Sequence, residues 1–187
     1  MITFTVRILW IVNNDREECW SVLLWKTILA KVLWKVRSLI MTNEGYKYLK
    51  PLIFVYGTLR FSYQHPLAHQ LRSEASYLGQ FYFQGRLYQI ENYPGAITSD
   101  DPEDQICGDL YQLNHKGLLA DLDQYEECGE GFSQPTEYLR TRKDIYRLED
   151  IKAKKNPFWA WVYLYNHPIS HQGLIQSGDF LEYIQNP

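Results

Sequence analysis

Two groups of residues in this chain have the types and the spacing for chemistry. The first is Tyr56-Gly57-Thr58-Leu59-Arg60, which follows the apolar run Leu52-Ile53-Phe54-Val55. A strand-forming run that ends in a glycine and a small polar residue delivers a tight loop, and such a loop can turn backbone N–H groups toward an oxyanion or a carboxylate. Glycine at position 57 leaves no side chain in the way of a ligand. The second group centres on Glu126, which lies four residues after Leu122 and seven after Leu119. On a helix it shares their apolar face. A carboxylate there is either paired or held in a poorly solvated pocket, where its pKa rises and it becomes a base near neutral pH. Alternatively Glu126, in the last turn of its helix, simply reaches solvent.

Other chemical signals are weaker. His65-Pro66-Leu67-Ala68-His69 and His167-Pro168-Ile169-Ser170-His171 both space histidines four apart, which on a helix suits zinc. No adjacent cysteine or acidic ligand completes either set, so capping or chance accounts for them. GxSxG, HExxH and P-loop patterns are absent from the sequence. The three cysteines, Cys19, Cys107 and Cys128, contain no CxxC pair and are odd in number. That argues against a disulfide framework or a zinc ribbon and fits a reducing cytoplasm.

The elements that must carry these residues follow from periodicity. Leu52 to Tyr56 reads as a strand. His65 to Leu71 reads as a short helix with proline in its first turn. Gln80 to Ile90 is an aromatic-rich strand, with Gly85 at a bulge or a close approach, and Asn92-Tyr93-Pro94-Gly95 is a turn by composition. Ile106 to Leu113 is a further strand. Asn114 is placed to cap a helix from His115 to Glu127, whose apolar stripe is Leu118, Leu119, Leu122 and Tyr125. Strands from Glu137 to Leu148 and Phe158 to Tyr165 and a last helix from about Asp179 to Ile184 complete the chain. Many strands with a few short helices imply an α+β domain on a curled or closed sheet.

Composition divides the chain. Residues 1–44 contain no Gly, Pro or Tyr, whereas the remainder holds all 11 Gly, all 8 Pro and all 15 Tyr; four of the six Trp lie in the first part. The expected organisation is an amino-terminal extension over 1–44 and one domain over 45–187. Cys19 to Ile40 is patterned as an amphipathic helix, interrupted by Lys26, Lys31, Lys35 and Arg37, which does not suit a membrane span. Acidic residues before its apolar part do not suit a secretory signal either. It reads either as a basic helix lying on a membrane or a partner, or as residues upstream of a true start at Met41, the reading adopted here. The formal net charge of −3 gives no field for nucleic acid, and no nucleic-acid partner is expected.

Six blocks then occur in a telling order: FVYGTLR (Phe54 to Arg60), YPG (Tyr93 to Gly95), CGDLYQL (Cys107 to Leu113), LDQYE (Leu122 to Glu126), EYLR (Glu137 to Arg140) and AWVYLY (Ala160 to Tyr165). Together they resemble the γ-glutamylcyclotransferase-like family, in the branch related to AIG2 and γ-glutamylamine cyclotransferase. The resemblance covers roughly Leu52 to Tyr165 and none of residues 1–44. It implies a small mixed β-barrel flanked by a few short helices, to which the amino-terminal helix would be extra. It implies a cavity floored by the glycine loop, and Glu126 as catalytic base. The implied reaction is attack of the substrate's free α-amine on its own γ-glutamyl amide, giving 5-oxoproline and an amine or amino acid, with no cofactor or metal and a small γ-glutamyl compound as the partner. Tyr56, Gly57, Thr58 and Leu59 are the implied substrate-binding loop. Tyr138 is assigned to the substrate or to orienting Glu126, with a buried barrel hydroxyl as its alternative role, and Tyr163 or Tyr165 to the cavity wall. Arg140 is expected to pair with a structural carboxylate. Two departures stand out: Glu127 occupies the place where relatives often carry glycine, and Phe61 to His65 replace a glycine-containing loop. A non-catalytic binding module on the same barrel is the alternative function.

Overall fold

A computed structural model describes residues 50–186. Residues 1–44, with their expected helix, lie outside the described part. The elements in chain order are β1 (Leu52–Val55), α1 (Pro66–Glu74), β2 (Ala75–Gln89), β3 (Pro94–Thr98), β4 (Gln105–Leu113), α2 (Gly117–Tyr125), β5 (Tyr138–Tyr146), α3 (Leu148–Ile151), β6 (Phe158–Tyr165), β7 (Gly173–Leu174) and α4 (Phe180–Gln185).

Five strands close on themselves. The order β2-β4-β1-β6-β5 returns to its start because β5 also pairs with β2, at Tyr82 with Tyr146 and Phe83 with Ile145. Neighbours are antiparallel except β1 and β6, which run parallel. The result is the expected mixed barrel, and closure removes the open edges that a sheet of this size would present. The strand β2 is long enough to serve two sheets: its first part lies in the barrel, and Gly85–Gln89 leaves it to pair with β3.

Alternation decides what fills the interior. Phe81, Phe83 and Leu87 of β2, Ile106 and Leu110 of β4, and Ala160 and Val162 of β6 join Phe54 in one buried cluster, with Phe180 of α4 packed against it. A second cluster lies on the opposite face of the sheet. There Ile53 and Val55 of β1 and Tyr111 and Leu113 of β4 pack with Leu118 and Leu122 of α2, so α2 is held by the two leucines of its stripe. Leu119 is only half-buried and Tyr125 is 40% exposed, so the stripe is narrower than periodicity suggests.

Three local readings change, and the two alternatives at Gly85 resolve to one. The bulge in β2 lies between Tyr77 and Gly79, where Gly79 adopts φ +117°, rather than at Gly85. Gly85 is instead a close approach, since a Cβ there would lie 2.3 Å from the Ile97 carbonyl oxygen. Pro94 and Gly95, read as part of a turn over Asn92 to Gly95, open an edge strand, Pro94–Thr98, which proline tolerates at a first position. The helix α2 begins later than expected. Lys116 stands at its N-cap position with no side-chain capping bond, and the His115 ring accepts from the Leu118 N–H at 3.3 Å, while Asn114 accepts from Lys50.

Candidate active site

The loop after β1 is fixed from both ends. Its turn is closed by the Arg60 N–H donating to the Gly57 carbonyl at 3.1 Å. None of the Gly57, Thr58 or Leu59 N–H groups is used among the loop's backbone bonds. Glycine at 57 is required by crowding: a Cβ would meet the Pro94 ring at 2.9 Å. Beyond the turn, buried Arg60 donates to Asp179 at 2.6 Å and lies 3.6 Å from Asp109, whose carboxylate also accepts from the Phe61 N–H at 2.7 Å. A cation shared between two carboxylates anchors the loop to β4 and to the start of α4. Burial still dominates at Asp109 and raises its pKa despite these partners.

Opposite the loop stands the end of α2. Glu126 closes the helix as its C-cap, with its N–H donating to the Leu122 carbonyl. Glu127 follows with φ +48°, and the Cys128 N–H returns to the Asp123 carbonyl at 2.9 Å. This is a Schellman closure with its left-handed position held by glutamate instead of glycine. The turn keeps Glu126 half-buried against the cavity. Its carboxyl has no hydrogen-bond partner among the described residues, so nothing offsets its desolvation. Burial, and second the charge of Glu137, push its pKa from the ordinary 4.5 to about 8.

Loop and carboxyl line one cavity of about 310 Å³. Every site residue inferred from the sequence is on its wall: Tyr56, Gly57, Thr58 and Leu59 from the loop, Glu126 from α2, Tyr138 from β5 and Tyr163 from β6. Tyr165 does not line it and packs edge-on against Tyr138. The tyrosine hydroxyls have settled partners. Tyr56 donates to the Tyr163 carbonyl at 2.7 Å, Tyr138 to the Pro94 carbonyl at 3.0 Å and Tyr163 to Asp123 at 2.7 Å. Tyr138 thus uses its hydroxyl within the barrel, the structural alternative, and offers the cavity its ring. Arg140 pairs with Asp123, as expected of a structural cation. Burial raises the pKa of Tyr56, Tyr138 and Tyr163 alike, so all three phenols stay neutral. At the wall the Thr58 and Tyr125 hydroxyls meet at 3.1 Å.

Sequence reasoning missed Glu137 and Tyr93 as site residues. Both line the cavity, and the Tyr93 hydroxyl donates to the Glu137 carboxylate at 2.6 Å. They are 44 residues apart, and only barrel closure brings them together; the available signal was that each falls in one of the six ordered blocks. Glu127 and Glu137 also border a second hollow, toward Phe132, Ser133 and His167. Among the described residues no group of three or more His, Cys, Asp or Glu is arranged to hold a metal ion. Cys107 lies outside the cavity, its thiol pushed up to about 12 chiefly by burial, so it is no nucleophile.

Comparison with known proteins agrees with this geometry. The family described as "Gamma-glutamyl cyclotransferase, AIG2-like" matches residues 53–182. The "Gamma-glutamylcyclotransferase family protein YtfP" of Escherichia coli K12 is 31% identical over 131 residues, covering 70% of this chain and 96% of the relative. The solution structure of ytfP from Escherichia coli superposes with a TM-score of 0.50 at 28% identity, covering 71% of this chain and 98% of that one. A crystal structure of an AIG2-like protein from Mus musculus, 20% identical, shares the fold with a TM-score of 0.52 over 67% of this chain and 86% of that one.

Proposed function

The chain belongs to the γ-glutamyl cyclotransferase, AIG2-like family, and from that premise we propose that it releases 5-oxoproline and an amine or amino acid from a γ-glutamyl compound, with Glu126 as the proton-transferring residue. The observation that carries the reading is the meeting, in one cavity, of the N–H groups of a glycine turn and a carboxyl group, neither with a partner among the described residues, the carboxyl with its pKa pushed up to about 8.

The chemistry follows from the groups present. The α-ammonium of the substrate cannot attack until it loses a proton. A carboxylate with a pKa near that of an α-amine takes the proton with little driving force in either direction, which suits a group that must also return it. The freed amine attacks the γ-carbonyl, forming a C–N bond and placing negative charge on the carbonyl oxygen. The N–H groups of Gly57, Thr58 and Leu59 are the available donors for that charge. Collapse restores the carbonyl and breaks the original C–N bond: Glu126 passes its proton to the departing nitrogen, and the ring nitrogen sheds its second proton through the regenerated carboxylate to the released amine, leaving neutral 5-oxoproline and a protonated amine. Tyr56, Tyr138, Tyr163 and Pro94 line the cavity, a shaped wall that favours the folded substrate ring closure requires.

The test is a mass-spectrometric screen for 5-oxoproline over γ-glutamyl dipeptides, glutathione and γ-glutamylamines. Release from at least one class is expected. Saturable binding across the panel without any 5-oxoproline would replace the enzyme with a binding module on the same barrel.

A further inference from the structure

We propose that Glu137, held by Tyr93, is the residue that anchors the α-ammonium of the γ-glutamyl substrate beside Glu126; this rests on the reaction proposed above. Three observations carry it. The charged side chains on the cavity wall are all acidic, namely Glu126, Glu127 and Glu137, so the positive end of a zwitterionic substrate has side-chain partners here and the negative end has only N–H groups and hydroxyls. Glu126 is occupied with the proton it takes and so loses its charge on receiving it. A second, lasting charge is needed to hold the nitrogen in place.

Glu137 and Glu127 differ in their fitness for that task. Glu127 is exposed and its side chain has no partner among the described residues to fix it. Glu137 is half-buried, and the 2.6 Å bond from the Tyr93 hydroxyl settles one of its two oxygens, leaving the other without a hydrogen-bond partner among the described residues. Its charge is also the one that reaches Glu126, adding to burial in raising that pKa. Glu137 therefore acts on both partners of the proton transfer. It draws in the ammonium, whose pKa it raises, and it makes the neighbouring acceptor more basic, which offsets that rise. Tyr93 is a positioning residue: burial and its bond to Glu137 raise its own pKa, so it remains a hydrogen-bond donor throughout.

The experiment separates this role from a structural one by pairing two ligands. Glu126→Gln serves as a parent that binds without turnover. Its affinity is measured by calorimetry for γ-glutamyl-alanine and for glutaryl-alanine, which lacks only the α-ammonium. The parent is expected to prefer γ-glutamyl-alanine. Adding Glu137→Gln should weaken γ-glutamyl-alanine about tenfold or more and leave glutaryl-alanine within about twofold, erasing the preference. Tyr93→Phe in the same parent is a second variant, which should weaken γ-glutamyl-alanine selectively by a few-fold. Equal losses for both ligands, or no loss for either, would overturn the anchor while leaving the proposed reaction standing. A parent that binds neither ligand would also overturn the anchor, and the 5-oxoproline screen judges the reaction separately.

Discussion

A carboxyl group in a cavity lined by tyrosines, without a hydrogen-bond donor among the described residues and beside a second carboxylate, resists ionisation, and Glu126 meets all three conditions. The native state favours its protonated form more than the unfolded chain does. The stability this confers is complete below about pH 4.5, the ordinary value, and is lost as pH rises through about 8. Glu126→Gln, which stays neutral, should match the wild type in urea unfolding near pH 4.5 and exceed it near pH 9 by about 1–3 kcal/mol. A constant difference across that range would mean that the carboxyl is not perturbed. The same titration sets activity in the opposite sense, because the free enzyme needs the carboxylate: kcat/KM should climb with pH toward about 8 and level off above it. A flat profile between about pH 6 and 9 would contradict the assignment. Helical spacing left Glu126 facing either the interior or solvent, and it was the resemblance of LDQYE to the family motif that singled it out. The source of its second perturbation was not legible, because Glu137 reaches the cavity from the bend just before β5, which periodicity cannot place beside α2.

At the scale of elements, the end of α2 carries a local cost. Glu127 holds a left-handed conformation that disfavours any residue with a Cβ. Glu127→Gly should raise the free energy of unfolding by about 1 kcal/mol, measured in urea, because the gain from relieved φ outweighs the entropy added to the unfolded chain. Equal or lower stability would show that the glutamate side chain contributes something that offsets its strain. Glycine and proline cues misled the reading of β2 and β3 in instructive ways. Gly79 breaks the alternation of β2, hiding its first five residues, and Pro94-Gly95 has turn composition although pairing with β2 makes it a strand. In both places long-range pairing overrode a local preference. Uninterrupted apolar runs were read almost to the residue, as with β1 and β6.

On the scale of the molecule, the site depends on a barrel whose closure joins residues far apart in sequence, and Arg60 is its most distant tie. Arg60 and Asp179, 119 positions apart, are bridged by a single 2.6 Å contact, and Asp109 shares the same guanidinium. Removing it leaves two carboxylates, one of them 4% exposed, without their cation. Arg60→Ala should cost about 3–5 kcal/mol in urea unfolding, and a loss below about 1 kcal/mol would show that the loop is held by packing alone. Six ordered blocks resembled the family and foretold the mixed barrel, but not this tie, since Asp179 lies beyond the last of them. The central claim is that the glycine turn and Glu126, which share one cavity, act on one substrate. Its most direct test compares 5-oxoproline release by the wild type and Glu126→Gln, using the best substrate from the screen, by mass spectrometry, with folding checked by circular dichroism. The account predicts equal amounts of 5-oxoproline and free amine from the wild type and a rate at least about 100-fold lower from the variant. A folded Glu126→Gln protein that releases 5-oxoproline at the wild-type rate would contradict it.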